Sequence, residues 1–260
     1  MIIPNPTTPI SSDLDAGLSI SLTNPVIDTT PTVTNGGVGE VAEHLTDPDH
    51  SSTFTSSGGT LSVSFGAIAN ISYVAVSGHT STNAGSATIQ VFNGATLIDA
   101  VALTRNNNVM FTFAEMSFTD LIVKFVPSQV NSLITVSYIA AGQYMSIAKG
   151  EQAGYSRLWL NRSLTQSTSS NFQTSPTAQV QKNKALKGML SLPNELSTFA
   201  EATWQTFNDF SLSQPFFIKE AASKPQSSYI CYNPISGVKA HPLNRALDAI
   251  TLKFNAYNGL

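Results

Sequence analysis

Charge is scarce in this chain. Thirteen Lys and Arg and 16 Asp and Glu among 260 residues make 11%, under half the roughly 25% of an average soluble domain. A net charge of -3 with no clustered basic run argues against a nucleic-acid footprint. Cysteine is nearly absent. Cys231 stands alone, so no intramolecular disulfide is available and no Cys-x-x-Cys spacing points to structural zinc. No run of about 18 apolar residues predicts a membrane helix. The opening MIIPNPTTPI lacks the basic flank and long apolar core of a signal peptide. These absences predict a soluble chain made in a cytoplasm. No GxSxG, HExxH or phosphate-loop signature occurs, and Glu40, Glu43 and Glu115 have no spacing that suggests a glycosidase pair. The expectation is a protein that is not an enzyme.

Ser, Thr and Asn carry the polarity instead, beside 42% hydrophobic residues, 16 Gly and 13 Pro. That profile suits extended β-structure with uncharged surfaces, either facing solvent or covered by partner subunits. The charges are also unevenly placed. Residues 1–140 hold Arg105 and Lys124 against ten acidic residues (2 − 10 = −8), whereas residues 141–260 hold 11 basic and six acidic ones (+5). Such opposition lets the basic half of one copy meet the acidic half of another.

The pattern divides the chain into an extended arm (1–39), a sandwich (40–141) and a β-rich second domain (142–260). In the first part Pro4, Pro6, Pro9, Pro25 and Pro31 prevent regular helix, and LSISL (18–22) reads as an edge strand. From residue 60 period-two alternation is strong: LSVSF (61–65), ISYVAVSG (71–78), SATIQVF (86–92), TLIDAVAL (96–103), VMFTF (109–113), LIVKFV (121–126) and LITVSYIA (133–140). Each combines alternation with β-branched and aromatic residues. NAGS, FNGA and RNNN between them carry turn chemistry, and FNGA is a hairpin signal. Strands about ten residues apart with no helix between them predict an antiparallel sandwich. Beyond it, GYSRLWLNRSL (154–164), PFFIKE (215–220), SSYICY (227–232) and DAITLKFNAY (248–257) read as strands, and STSSNFQTSPTAQ (167–179) as a loop. LPNELSTFAEATWQTFNDF (192–210) is the helix candidate, with Asn194 as cap and Leu196, Phe199, Trp204 and Phe207 as its apolar stripe. The predicted class is therefore mainly β: an antiparallel sandwich followed by a smaller β-rich α+β domain with one helix.

HLTDPDHSSTFTSSGG (44–59) gathers the most ligand-capable groups into one stretch. Asp47 and Asp49 with backbone carbonyls offer the hard oxygens calcium prefers, though without an EF-hand spacing. His44 and His50 lack a third partner for zinc. As a plain loop, Asp47-Pro48 starts a turn, and Asp49 with Ser51 and Ser52 satisfies backbone N–H groups before a strand. Asp47, Asp49 and His50 are thus the candidate ligand or subunit contacts, with calcium as the candidate ion. On the loop reading, replacing either aspartate by Ala costs stability before binding. The aromatics of the second half read as core, with a sugar-stacking platform as the alternative.

HLTDPDHSSTFTSS followed by LSVSFGAIANISYVAVSGHT resembles the galactose-binding-like β-sandwich shared by discoidin domains and many carbohydrate-binding modules, which implies that the predicted sandwich is a jelly roll. Leu45, Asp47, Thr53 and Ser56 approximate that family's loop; Phe65–Gly66 and Ile71–Gly78 approximate its strands, and FTFAEMSFTDLIVKF its closing strands. The resemblance covers about a hundred residues and implies a scaffold more than an activity. GYSRLWLNRSL, TWQTFNDFSLSQPFFI and NRALDAITLKFNAY resemble virion structural proteins of tailed phages. Together the two imply a non-enzymatic virion component of the tail or head-to-tail region, built through repeated contacts with its own copies and other virion proteins and located in the particle. The alternative is a carbohydrate- or receptor-binding module that uses the sandwich loops, with calcium and a cell-surface glycan as its implied partners.

Overall fold

The computed structural model describes residues 17–48, 52–83, 85–147, 158, 186–196, 200–221, 223–232, 239–242 and 247–257. Three antiparallel sheets and a separate two-stranded pair organise them. The first has five strands in the order β2 (Thr32–Thr34), β4 (Leu61–Ser64), β9 (Leu121–Pro127), β6 (Ala87–Asn93) and β7 (Thr96–Leu103). The second joins β11 (Tyr138–Gly142), β5 (Ile68–Ser77) and β8 (Val109–Phe118), while β3 (Phe54–Thr55) pairs with β10 (Thr135–Val136). The third runs β12 (Tyr144–Ile147), β1 (Leu18–Ser21), β14 (Phe216–Lys219), β15 (Ser228–Tyr232), β17 (Leu247–Tyr257) and β13 (Leu186–Leu196), with β16 (Lys239–Pro242) also on β17. The chain is mainly β, as predicted.

The middle sheet is covered on both sides. Val74 and Val76 of β5, Phe111 of β8 and Ile139 of β11 face the five-stranded sheet, where Val63, Val91, Val123 and Phe125 meet them. The alternate residues Tyr73, Ala75, Met110, Tyr138 and Ala140 face the other way, onto Phe217 and Ile230 of the third sheet. Because successive side chains of a strand point to opposite faces, a strand buried on both must be apolar throughout. That explains the unbroken run YVAV. The far face of the third sheet packs Ile20, Ile218, Leu252 and Phe254 against Trp204 and Phe207. These two come from a π-turn (Ala200–Trp204) and the helix α1 (Gln205–Ser213) that continues it.

Two expectations are corrected. LSISL is an interior strand: β1 pairs with β12 through Leu18↔Ile147 to Ser21↔Tyr144 and with β14 through Ser19↔Lys219 and Ile20↔Ile218. All four residues are buried, and Ser21 Oγ accepts a hydrogen bond from Phe217 N at 2.8 Å, so this buried hydroxyl satisfies neighbouring backbone. The helix also starts later than predicted. Leu192–Leu196, with Asn194, belongs to β13, where a bulge between Leu192 and Glu195 takes up Pro193. Gly142 sits where the segment after β1 crosses β11. A Cβ there would lie 2.2 Å from the Thr23 carbonyl oxygen, a separation only glycine permits. The run 133–140 divides into β10 and β11. GYSRLWLNRSL, apart from Leu158, and the 167–179 loop lie outside the described residues. Among the described residues no helix is long and apolar enough to cross a membrane.

Candidate functional site at the long-loop end of the sandwich

The antiparallel registers sort the sandwich connections by length. At one end β4 meets β5 through 65–67, β6 meets β7 through 94–95, and β8 meets β9 through 119–120. Gly66 (φ 71) and Gly94 (φ 55) take the left-handed conformation these tight turns require. At the other end lie the long connections 35–60, 78–86, 104–108 and 128–134. They are laced together. Ser57 N donates to Asn35 O at 2.8 Å, Ser56 N to Ile134 O at 2.8 Å, Gly59 N to Ser132 O at 3.2 Å and Thr80 N to Thr135 O at 2.9 Å, while Ile134 N donates to Ser56 Oγ at 2.8 Å.

His79 is the keystone of this end. Its ring is fully buried, 6.4 Å from Phe125. Nε2 is 2.7 Å from the Asn107 carbonyl oxygen; a carbonyl only accepts, so Nε2 carries the proton. Nδ1 therefore accepts from Ser81 Oγ at 2.8 Å. Burial lowers the imidazole pKa to about 4, partly offset by the bond to Asn107. The ring is a neutral tie between loops 78–86 and 104–108. Outside it, Asn106 Oδ1 accepts from Thr82 N at 3.0 Å and from Thr82 Oγ1, and Asn106 Nδ2 donates to Asn83 Oδ1. Beneath, Asn108 Oδ1 accepts from Ser77 Oγ at 2.9 Å and Asn108 Nδ2 donates to Tyr257 O at 2.7 Å. The chain thereby presents the Asn83 and Asn106 side chains in set orientations, with Arg105 exposed beside them. Val130 (83% exposed) and Leu133 (62%) border the same end, and Ser132 Oγ is buried there with no hydrogen-bond partner.

Of the sequence-predicted site residues, Asp47 is half-buried just beyond the 3-10 turn Ala42–Leu45, and its backbone N donates to Glu43 O at 3.1 Å. Leu45 anchors this turn in the sandwich core, and His44 Nδ1 lies 3.3 Å from Thr53 O. Asp49 and His50 lie outside the described residues. Among the described residues no three His, Cys, Asp or Glu side chains gather as a metal site. The His79–Asn106 cluster was missed from sequence as a site. Its signal lies in the two Asn-rich turns, NAGS and RNNN, which by themselves read only as chain reversals.

No family model matches the chain, and no curated protein matches it in sequence. Among solved structures, a fucose-binding module of Streptococcus pneumoniae aligns at 8% identity over 48% of this chain and 100% of its own, with a TM-score of 0.38. A family 32 carbohydrate-binding module of C. perfringens NanJ, solved with galactose, aligns at 16% identity over 49% of this chain and 99% of its own (TM-score 0.37). The lectin domain of lectinolysin, complexed with Lewis B antigen, aligns at 10% identity over 47% and 99% (TM-score 0.38).

Proposed function

We propose that the protein is a non-enzymatic binding module that takes carbohydrate at the long-loop end of its sandwich. The observation that carries this reading is the polar surface in which the Asn83 and Asn106 amides are tied to each other and to Thr82, with Arg105 exposed beside them and the Asn107 carbonyl held from below by His79. Sugars present paired hydroxyls, which planar amide and guanidinium groups meet with two hydrogen bonds at once. Fixing the Asn83 and Asn106 amides before binding removes the side-chain ordering cost that otherwise weakens such polar contacts. Val130 and Leu133 supply apolar surface for the C–H face of a ring. The modules aligned above are described as binding fucose, galactose and Lewis B antigen; the proposal for this chain rests on its own loops.

The test is a glycan array with the full chain, followed by titration calorimetry on any hit. Arg105→Ala is expected to weaken binding about tenfold or more, equivalent to about 1.4 kcal/mol, with an unchanged melting temperature. A chelator arm shows whether calcium at Asp47 and Asp49 contributes. Absence of any bound glycan at millimolar concentration, or binding indifferent to Arg105→Ala, overturns the reading.

A second reading, a virion component built through repeated subunit contacts, is favoured by the opposed charges of the two halves, −8 and +5. Light scattering at high concentration tests it. A strictly monomeric chain that never enters purified particles sinks it.

A further inference from the structure

Among the described residues the third sheet extends beyond the sandwich layer that packs on it. Tyr257, at the end of β17, is half-buried beside Tyr232 at the edge of the interface with the sandwich. Counting back along the same face, Asn255, Lys253 and Thr251 pass beyond the sandwich, and Lys253 is exposed. In the paired strand Met189 lies opposite Lys253 and Lys187 opposite Asn255. Met189 is 46% exposed, one of few large apolar side chains so placed. Asp248 falls on the opposite face by the alternation of the strand. The overhang is thus basic, with an apolar centre.

The complementary shape occurs elsewhere on the chain. The segment Val38–Glu43 projects from the sandwich as a knuckle with Val38 fully exposed and Val41 45% exposed. Glu43 is exposed and Glu40 half-exposed beside them. The knuckle is braced: Gly37 N donates to Thr55 O at 2.9 Å and His44 N to Val41 O at 3.2 Å, and Leu45 is sunk in the core. Two apolar side chains flanked by two carboxylates mirror a methionine flanked by lysines.

We propose that the knuckle of one copy docks on the β13–β17 overhang of a second copy, Val38 and Val41 against Met189 and Glu43 against Lys253. This inference rests on the self-assembly reading above and names its surfaces. The two patches are different, so the contact is heterologous, and repetition gives a closed ring or an open chain according to the rotation between copies. Burying the exposed valines with Met189 supplies the attraction, and the charges set which faces meet.

The experiment is sedimentation velocity on the full chain across concentration at low and high salt. It compares wild type with Lys253→Glu, Glu43→Lys and the double variant; both positions are exposed, so melting temperatures should not change. Expected are concentration-dependent association weakened by salt, about tenfold weaker association for each single variant, and recovery in the double to about wild-type strength. A chain monomeric throughout overturns both this inference and the self-assembly reading. Association that ignores either single reversal, or singles that weaken it without recovery in the double, overturns this pairing of faces while the self-assembly reading stands.

Discussion

Protonating His79 in the folded chain would place a cation among Phe125, Ser81 and the Asn107 carbonyl, out of reach of water. The unfolded chain protonates near 6.5 and the folded one near 4, so the unfolded state binds the proton first as pH falls. Stability from this group is therefore complete above about 6.5, declines between there and about 4, and levels off below. The loss amounts to roughly 3 kcal/mol. Urea melts of wild type and His79→Gln at pH 7, 5 and 4 should show the variant's stability falling less steeply over that interval; parallel profiles would contradict the assignment. At Asp47, in the turn that follows the anchored Leu45, Asp47→Ala is expected to cost about 1 kcal/mol of stability. Glycan binding through Arg105 should survive that change in calorimetry.

Strands β1 and β11 show how much depends on a few residues at close quarters. Ile20 is fully buried in the core beneath the third sheet, on a strand hydrogen-bonded on both sides. Ile20→Ala should cost about 3 kcal/mol by chemical denaturation, whereas truncation on a loose arm would cost almost nothing. Gly142→Ala drives a methyl group into the Thr23 carbonyl and should cost about 3 kcal/mol or more; a melting temperature within a degree or two of wild type would mean that the crossing segments separate easily. In sequence, β5 to β9 were legible because alternation within each strand is a local property. β1 was not, since LSIS reads alike at an edge or in the interior. Its two neighbours come from residues 144–147 and 216–219, far along the chain. The helix was legible as an apolar stripe but displaced at its start. The residues around Pro193 satisfy a helical period and a strand equally well, and pairing with β17 decided between them.

Taken whole, the chain leaves the third sheet after β1, builds the sandwich, and returns to the same sheet at β12, beside its point of departure. Tyr73 and Tyr138, both buried, tie the layers: Tyr73 Oη donates to Thr23 O at 2.8 Å, and Asn24 Nδ2 donates to Tyr138 Oη at 2.8 Å. With an apolar interface shared by the two sheets, unfolding should be one transition. Tyrosine near-ultraviolet and backbone far-ultraviolet dichroism should melt together; two separated midpoints would show that the layers part independently. The amino-acid sequence by itself determined the mainly β class, the strand-rich sandwich and the scarcity of charge, because alternation, turn residues and composition act over a few residues at a time. Only the tertiary structure decided that β1 lies inside the last sheet, that the middle sheet is covered on both faces, and that His79 locks two distant asparagine-rich loops at one end. Those outcomes depend on which segments, often a hundred or more residues apart, come together.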